Sequence, residues 1–264
     1  MAPTGQVACF NFHEVTDQPG SSGLQRPGAL RFTLSRAAFG RALDEIASGP
    51  CRPELVTDFD VSAPGRHMLL TFDDGGSSAM YAAEELARRG WRAHFFIVTS
   101  LIGSRTFLAT DQIRLLRSWG HIIGSHSHTH PNIFRALARE RMAEEWRVST
   151  DVLSSLLGEP CLTASVPGGD ISRAVLESGA AAGFRYLFTI EPQLRPFRVD
   201  GCWVLGRYSL RKGTQPDRVR KLGRFRGWAG ALALRRLKVL ARLSLPPLYR
   251  QIVARRTREW EHPD

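Results

Sequence analysis

Three histidines stand within five residues in GSHSHTHP, at His126, His128 and His130, and two carboxylates stand side by side in TFDDGG, at Asp73 and Asp74. In an extended segment alternate residues point the same way, and in a helical turn His126 and His130 share a face, so in either case two imidazoles converge. A His-x-x-x-His pair with one carboxylate is a common ligand set for Zn2+ or another first-row divalent ion and leaves positions open for water and substrate. Adjacent aspartates can then divide the work. One binds the ion, and the other takes a proton from the attacking water. The bland alternatives are a solvated histidine loop and two exposed turn aspartates ahead of a helix.

Positioning such groups requires rigid elements. Apolar runs at 7–12, 67–72, 93–98, 121–125, 162–166, 185–190 and 202–206 read as seven strands, and helix-period segments at 34–48, 77–89, 135–157 and 171–183 lie between them. This alternation predicts a parallel α/β fold, either a doubly wound sheet or a (β/α) barrel. The polar candidates follow different strands: His13 the first, Asp73 and Asp74 the second, His126 to His130 the fourth, and Pro167-Gly168-Gly169 the fifth. In a barrel these exits converge on one rim. His67, His94 and His121 sit in or beside strands and read as core or strand-edge residues.

At 264 residues and 43% hydrophobic, the chain can bury a sizeable core, which excludes disorder as its main state. Four cysteines with no CxxC pair read as reduced thiols. No basic leader and no long apolar run is readable, so a cytoplasmic protein is expected. The net charge of +11 is uneven: residues 1–206 hold 20 Lys+Arg against 21 Asp+Glu, and residues 207–264 hold 16 against 4. That block reads as a basic helical extension over 211–264, either packed on the barrel or in peripheral contact with an anionic membrane. No nucleic-acid reading motif accompanies it.

TFDDG (71–75) and HSHTHP (126–131) resemble the first two motifs of the polysaccharide deacetylase superfamily, the NodB-homology or carbohydrate esterase family 4 enzymes. The resemblance spans about residues 7–206 and implies a distorted (β/α) barrel of about seven parallel strands over residues 1–210. It also implies a metal-dependent hydrolase that removes acetyl groups from an N-acetylated saccharide or lipid-linked glycan. Carried over, Asp73 is the general base, and Asp74, His126 and His130 hold one divalent ion, Zn2+ first, with Co2+, Ni2+ or Fe2+ as alternatives. Ser127 supports the loop, His128 falls on a variable position, and Pro167 and Gly168 form the oxyanion and substrate wall.

Two departures stand out. SVPGG (165–169) has Ser165 where the third motif usually carries the arginine that orients the base. The closing Leu-x-x-His, which supplies the acid, is missing, and after His130 only His262 remains. FNFHEV offers His13 instead, resembling a subset of the family whose acid histidine comes from the N-terminal strand. Hydrolysis of a non-sugar amide or imide by the same fold, and an inactive carbohydrate-binding barrel, are the competing readings.

Overall fold

Strand periodicity sets the inside and outside of the molecule. A computed structural model describes residues 5–169 and 171–244. In chain order the elements are β1 (Gln6–Phe12), α1 (Pro27–Leu30), α2 (Arg36–Ala47), β2 (Arg66–Phe72), α3 (Ala79–Ala87), β3 (His94–Ile97), α4 (Thr110–Ser118) and β4 (Ile122–Ser125). There follow α5 (Arg139–Leu157), β5 (Thr163–Ser165), α6 (Arg173–Ala181), β6 (Tyr186–Phe188), β7 (Phe197–Val199), β8 (Cys202–Leu205), β9 (Tyr208–Ser209), α7 (Pro216–Gly223) and α8 (Trp228–Ser244). The helix expected beyond Ser244, and His262, lie outside the described residues.

One sheet of nine strands runs in the order β7-β8-β6-β5-β4-β3-β2-β1-β9, and every pair is parallel except β7 with β8. It curls into a half-barrel. The seven predicted strands are all present. The expected count of about seven parallel strands is corrected by two short additions, β7 and β9, which form the free edges, and β7 runs antiparallel.

Along each strand alternate residues face opposite ways. On β1 and β2, Ala8, Phe10, Phe12, Met68, Leu70 and Phe72 face the helices in the largest apolar cluster, while Val7, Cys9 and Leu69 face the hollow of the sheet with Phe96, Phe188 and Leu205. Strands buried on both faces in this way need the near-continuous apolar runs seen in the sequence.

The start of the basic extension belongs to this core. Val219 and Leu222 of α7, with Trp228 of α8, pack into the same cluster as Phe39, Leu43 and Ile46 of α2. Arg220 of α7 pairs with Glu45 of α2 at 2.7 Å. Among the described residues no helix is long and apolar enough to cross a membrane.

Candidate active site

The two longest strands of the sheet, β1 and β2, deliver the first groups. β1 and β2 pair in register from Gln6 with Arg66 to Phe12 with Phe72, and the ladder continues one step as the Asp73 amide donates to the Phe12 carbonyl (3.0 Å). Asp73 is therefore next on the inward face after Leu69 and Thr71, and His13 follows Cys9 and Asn11 on the same face. A charge placed there is buried and must be paired.

The partner of Asp73 is Arg207, the first residue of the segment that composition marks as basic surface. It leaves β8 on the inward side and is fully buried. Its Nη1 donates to Asp73 Oδ1 (2.8 Å) and its Nη2 to Asp73 Oδ2 (2.9 Å) and Ser165 Oγ (2.6 Å). Asn11 Nδ2 adds a third bond to Asp73, at Oδ2 (2.9 Å). Asn11 Oδ1 in turn accepts from Arg207 Nη1 and from Thr71 Oγ1, each at 3.1 Å. Burial alone would raise the Asp73 carboxyl, but Arg207, His126 and His13 outweigh it and hold it at about 2.

Asp74, His126 and His130 converge: one ligand atom from each lies within 4.8 Å of the others. Asp74 Oδ1 is buried without a hydrogen-bond partner, and it faces His126 Nε2 at 3.4 Å and His130 Nε2 at 3.6 Å. These separations are too long for well-made hydrogen bonds. An orphaned carboxylate oxygen between two imidazole nitrogens fits a divalent first-row ion. His126 is set for that role, because its Nδ1–H donates to the Ser165 carbonyl (2.9 Å) and leaves Nε2 with its lone pair. Burial would raise Asp74, yet His126, His13 and His130 hold it below the usual carboxylate range.

His130 is differently set. Arg26, carried in by the loop after β1, places Nη2 2.6 Å from His130 Nδ1, and its Nη1 bonds Asn132 Oδ1. Guanidinium only donates, so His130 Nδ1 accepts and Nε2 carries the hydrogen. Burial first, with His126 and Arg26 adding to it against Asp74, lowers the His130 imidazole to about 3.

Three site residues sit in the left-handed backbone region, Asp74 (φ 75°), Ser127 (φ 64°) and His130 (φ 53°). Such strain in non-glycine residues persists only where the surroundings impose it. For the histidine loop, Glu145 of α5 imposes it: Oε2 accepts from the amides of His128 (2.9 Å) and Thr129 (2.8 Å), and Oε1 from Thr129 Oγ1 (2.6 Å). Ser127 Oγ accepts from the His130 amide (3.1 Å). His128 turns aside to Thr99 Oγ1 (3.0 Å) and is not in the three-ligand group.

The DDGG turn has its own support. Gly75 adopts φ 80°, and a Cβ on Gly76 would collide with the carboxylate of Glu14. Glu14 is buried and accepts from Ser78 Oγ (2.7 Å) and from Ser22 Oγ. Burial pushes its carboxyl up to about 7 against these hydrogen bonds.

His13 is within electrostatic reach of the group. Burial lowers its imidazole, while Asp74 and Asp73 oppose that shift. Its ring stacks on Phe32 (4.5 Å between centroids) and its Nδ1 is buried without a partner. Pro167 and Gly168 form the turn after β5, with Gly168 at φ 63° and only the Asn132 carbonyl near a Cβ built there (3.7 Å). His94 is a core residue, accepting from the Val56 amide (3.0 Å) and bonded to the Leu70 carbonyl (3.0 Å).

The parallel half-barrel thus gathers a carboxylate, two histidines and an arginine-paired aspartate at its strand exits. Residues 60–187 match the family model described as polysaccharide deacetylase. YxkH of Bacillus subtilis (strain 168), which carries the name of a polysaccharide deacetylase, is 23% identical over 165 residues, 62% of this chain and 58% of that one. The match thus spans under two thirds of that relative. A polysaccharide deacetylase from Bacillus cereus superposes with a TM-score of 0.70 at 17% identity, over 84% of this chain and 70% of that chain. IcaB from Ammonifex degensii gives 0.69 at 20% identity, over 84% and 98%. At these identities the structural likeness establishes the fold.

Proposed function

We propose that the chain is a metal-dependent hydrolase that removes the acetyl group of an N-acetylated sugar or glycan. The observation that carries this reading is the Asp73 carboxylate, held ionised by Arg207 and Asn11 beside the convergent Asp74, His126 and His130. The last three would hold the ion, with Zn2+ best suited to a two-imidazole, one-carboxylate set. When bound, such an ion polarises the amide carbonyl and acidifies water.

The chain's own groups supply the proton transfers. A carboxylate offers about four acceptor positions. Asp73 uses one on Oδ1 and two on Oδ2, so Oδ1 keeps a lone pair for the water proton. Arg207 orients the carboxylate at some cost in basicity. As water oxygen bonds to the acyl carbon, Asp73 takes a proton, and a backbone N–H at Gly168 donates to the developing oxyanion. His13, in its protonated form, gives a proton to nitrogen as the C–N bond breaks, leaving acetate and an amine. Its lowered affinity for the proton makes that form a strong donor.

Acetate release from N-acetylhexosamine compounds, measured with zinc-loaded protein, tests the reading. Asp73→Asn and His13→Ala are each expected to lower kcat by about 10² to 10⁴. Stoichiometric zinc with no hydrolysis of any acetamide would instead favour a carbohydrate-binding barrel.

A further inference from the structure

Helix α8 leaves a groove where it crosses the loops beside the site. The groove has a volume of about 460 Å³, within the range of small-ligand sites. α8 contributes Leu232, Val239 and Leu240, Ile171 and Phe197 form the facing wall, and Glu191 and Gln193 also line the groove. Phe197 and Leu240 are 37% and 59% exposed, so the mouth is apolar and open.

This groove adjoins the substrate wall. Arg235 of α8 donates from Nη2 to the Gly169 carbonyl (3.0 Å) and pairs through Nε with Glu191 (3.0 Å). The helix is thereby tied to the Pro167–Gly169 turn, and Ile171 lies two residues beyond that turn.

Two further arginines line the groove, Arg135 and Arg236. Arg135 lies in the 3-10 turn Phe134–Ala136, which follows the His130 loop. Among the described residues neither has an ion-pair partner. Glu191 is engaged by Arg235, so the charge left facing the groove is that of Arg135 and Arg236, and an apolar peptide would leave both guanidinium groups unanswered. An amphiphile with an anionic head meets both demands.

We propose that the groove takes the lipid-phosphate anchor of the substrate. The hydrocarbon lies between α8 and the Ile171–Phe197 wall, the phosphate meets Arg135 and Arg236, and the attached N-acetyl sugar is presented to Asp73 and the metal ligands. This rests on the deacetylase reading above. Leu234 and Leu237, on the outer flank of α8, are 54% and 63% exposed, and an apolar flank beside arginines suits the surface of the membrane in which such lipids reside.

Calorimetry with dodecyl phosphate below its micelle concentration tests the site on the full chain without metal. One saturable site per chain is expected, with affinity falling about fourfold for each buried methylene removed from the probe. Leu240→Asp and Arg236→Glu should each weaken binding at least about tenfold with unchanged circular dichroism. Absence of saturable binding, or indifference to both substitutions, overturns the proposal.

A second measurement separates it from the reading it rests on. Zinc-loaded protein should show a higher kcat/KM for an N-acetylhexosaminyl phosphate bearing a lipid chain than for the chain-free sugar phosphate. Acetate released equally from both, with no dodecyl phosphate bound, removes the groove and keeps the hydrolase. Dodecyl phosphate bound as expected, with no acetate from either, keeps the groove and removes the hydrolase.

Discussion

Arg207 and Asp73 meet inside the half-barrel as a two-pronged ion pair, at 2.8 and 2.9 Å, with both side chains buried. The arginine comes from the chain segment between β8 and β9, and Ser165, at the third-motif position, accepts a bond from the same guanidinium at 2.6 Å. The proposed base therefore has its arginine, delivered by the segment after β8.

The two positions should be exchangeable in part. Arg207→Ser leaves Asp73 as a poorly paired buried charge and is expected to cost about 3 to 5 kcal/mol of stability, along with most of the activity. Adding Ser165→Arg refills the same space from β5. In a double-mutant cycle the pair should show a favourable coupling of about 1 to 3 kcal/mol in unfolding free energy, with partial return of acetate release. Strict additivity would show that the two residues do not share one guanidinium position.

Acid should weaken the fold through Asp73. Its carboxyl is held at about 2 in the folded chain, below the ordinary aspartate value of 3.8. The unfolded state therefore binds the proton more readily, so the contribution is complete above pH 4 or so and drains away as pH falls toward 2. Between pH 6 and pH 2.5 the shift is worth about 1.5 kcal/mol. In urea unfolding, the stability gap between wild type and Asp73→Asn should shrink by that amount over the interval. Parallel pH curves for the two proteins would rule out the ionised pair.

Most of the sheet is legible from period-2 apolar runs because its strands are buried on both faces. The edges are not. β7 and β9 have three and two residues, and Phe197 of β7 is itself exposed, so neither produces a run. Helix α4 escapes notice because Leu115 and Trp119 point outward and blur its apolar face. In the site, His13, Asp73, Asp74, His126 and His130 follow readable strands. Arg207 is hidden because composition counts a buried charge like a solvated one. Parity was the available signal: Trp203 and Leu205 face the hollow with Phe96 and Phe188, and two residues further along the same face is Arg207. Glu145 reads as one more charge on a helix, and Arg26 as one more in a polar loop. Only the tertiary fold brings each of them to the histidines.

Arg26 should oppose metal binding. The lone pair of His130 now points from Nδ1 at a guanidinium 2.6 Å away, and ligation through Nε2 needs the opposite tautomer, with Nδ1 carrying the hydrogen. Two donors cannot face each other at that distance, so Arg26 has to turn from His130 when the ion enters. Its positive charge adds to the cost. His126 carries no such penalty, because its Nδ1–H already donates to the Ser165 carbonyl. Arg26→Leu removes the competing bond, which at about 1 to 1.5 kcal/mol corresponds to an affinity gain of about 5- to 10-fold for zinc. Competition titration with a chromogenic chelator gives the measurement. The same substitution at Arg31, the residue capping α1 on the same loop, should leave zinc affinity within about twofold. Equal or weaker zinc binding by Arg26→Leu would mean that the guanidinium supports the ligand set.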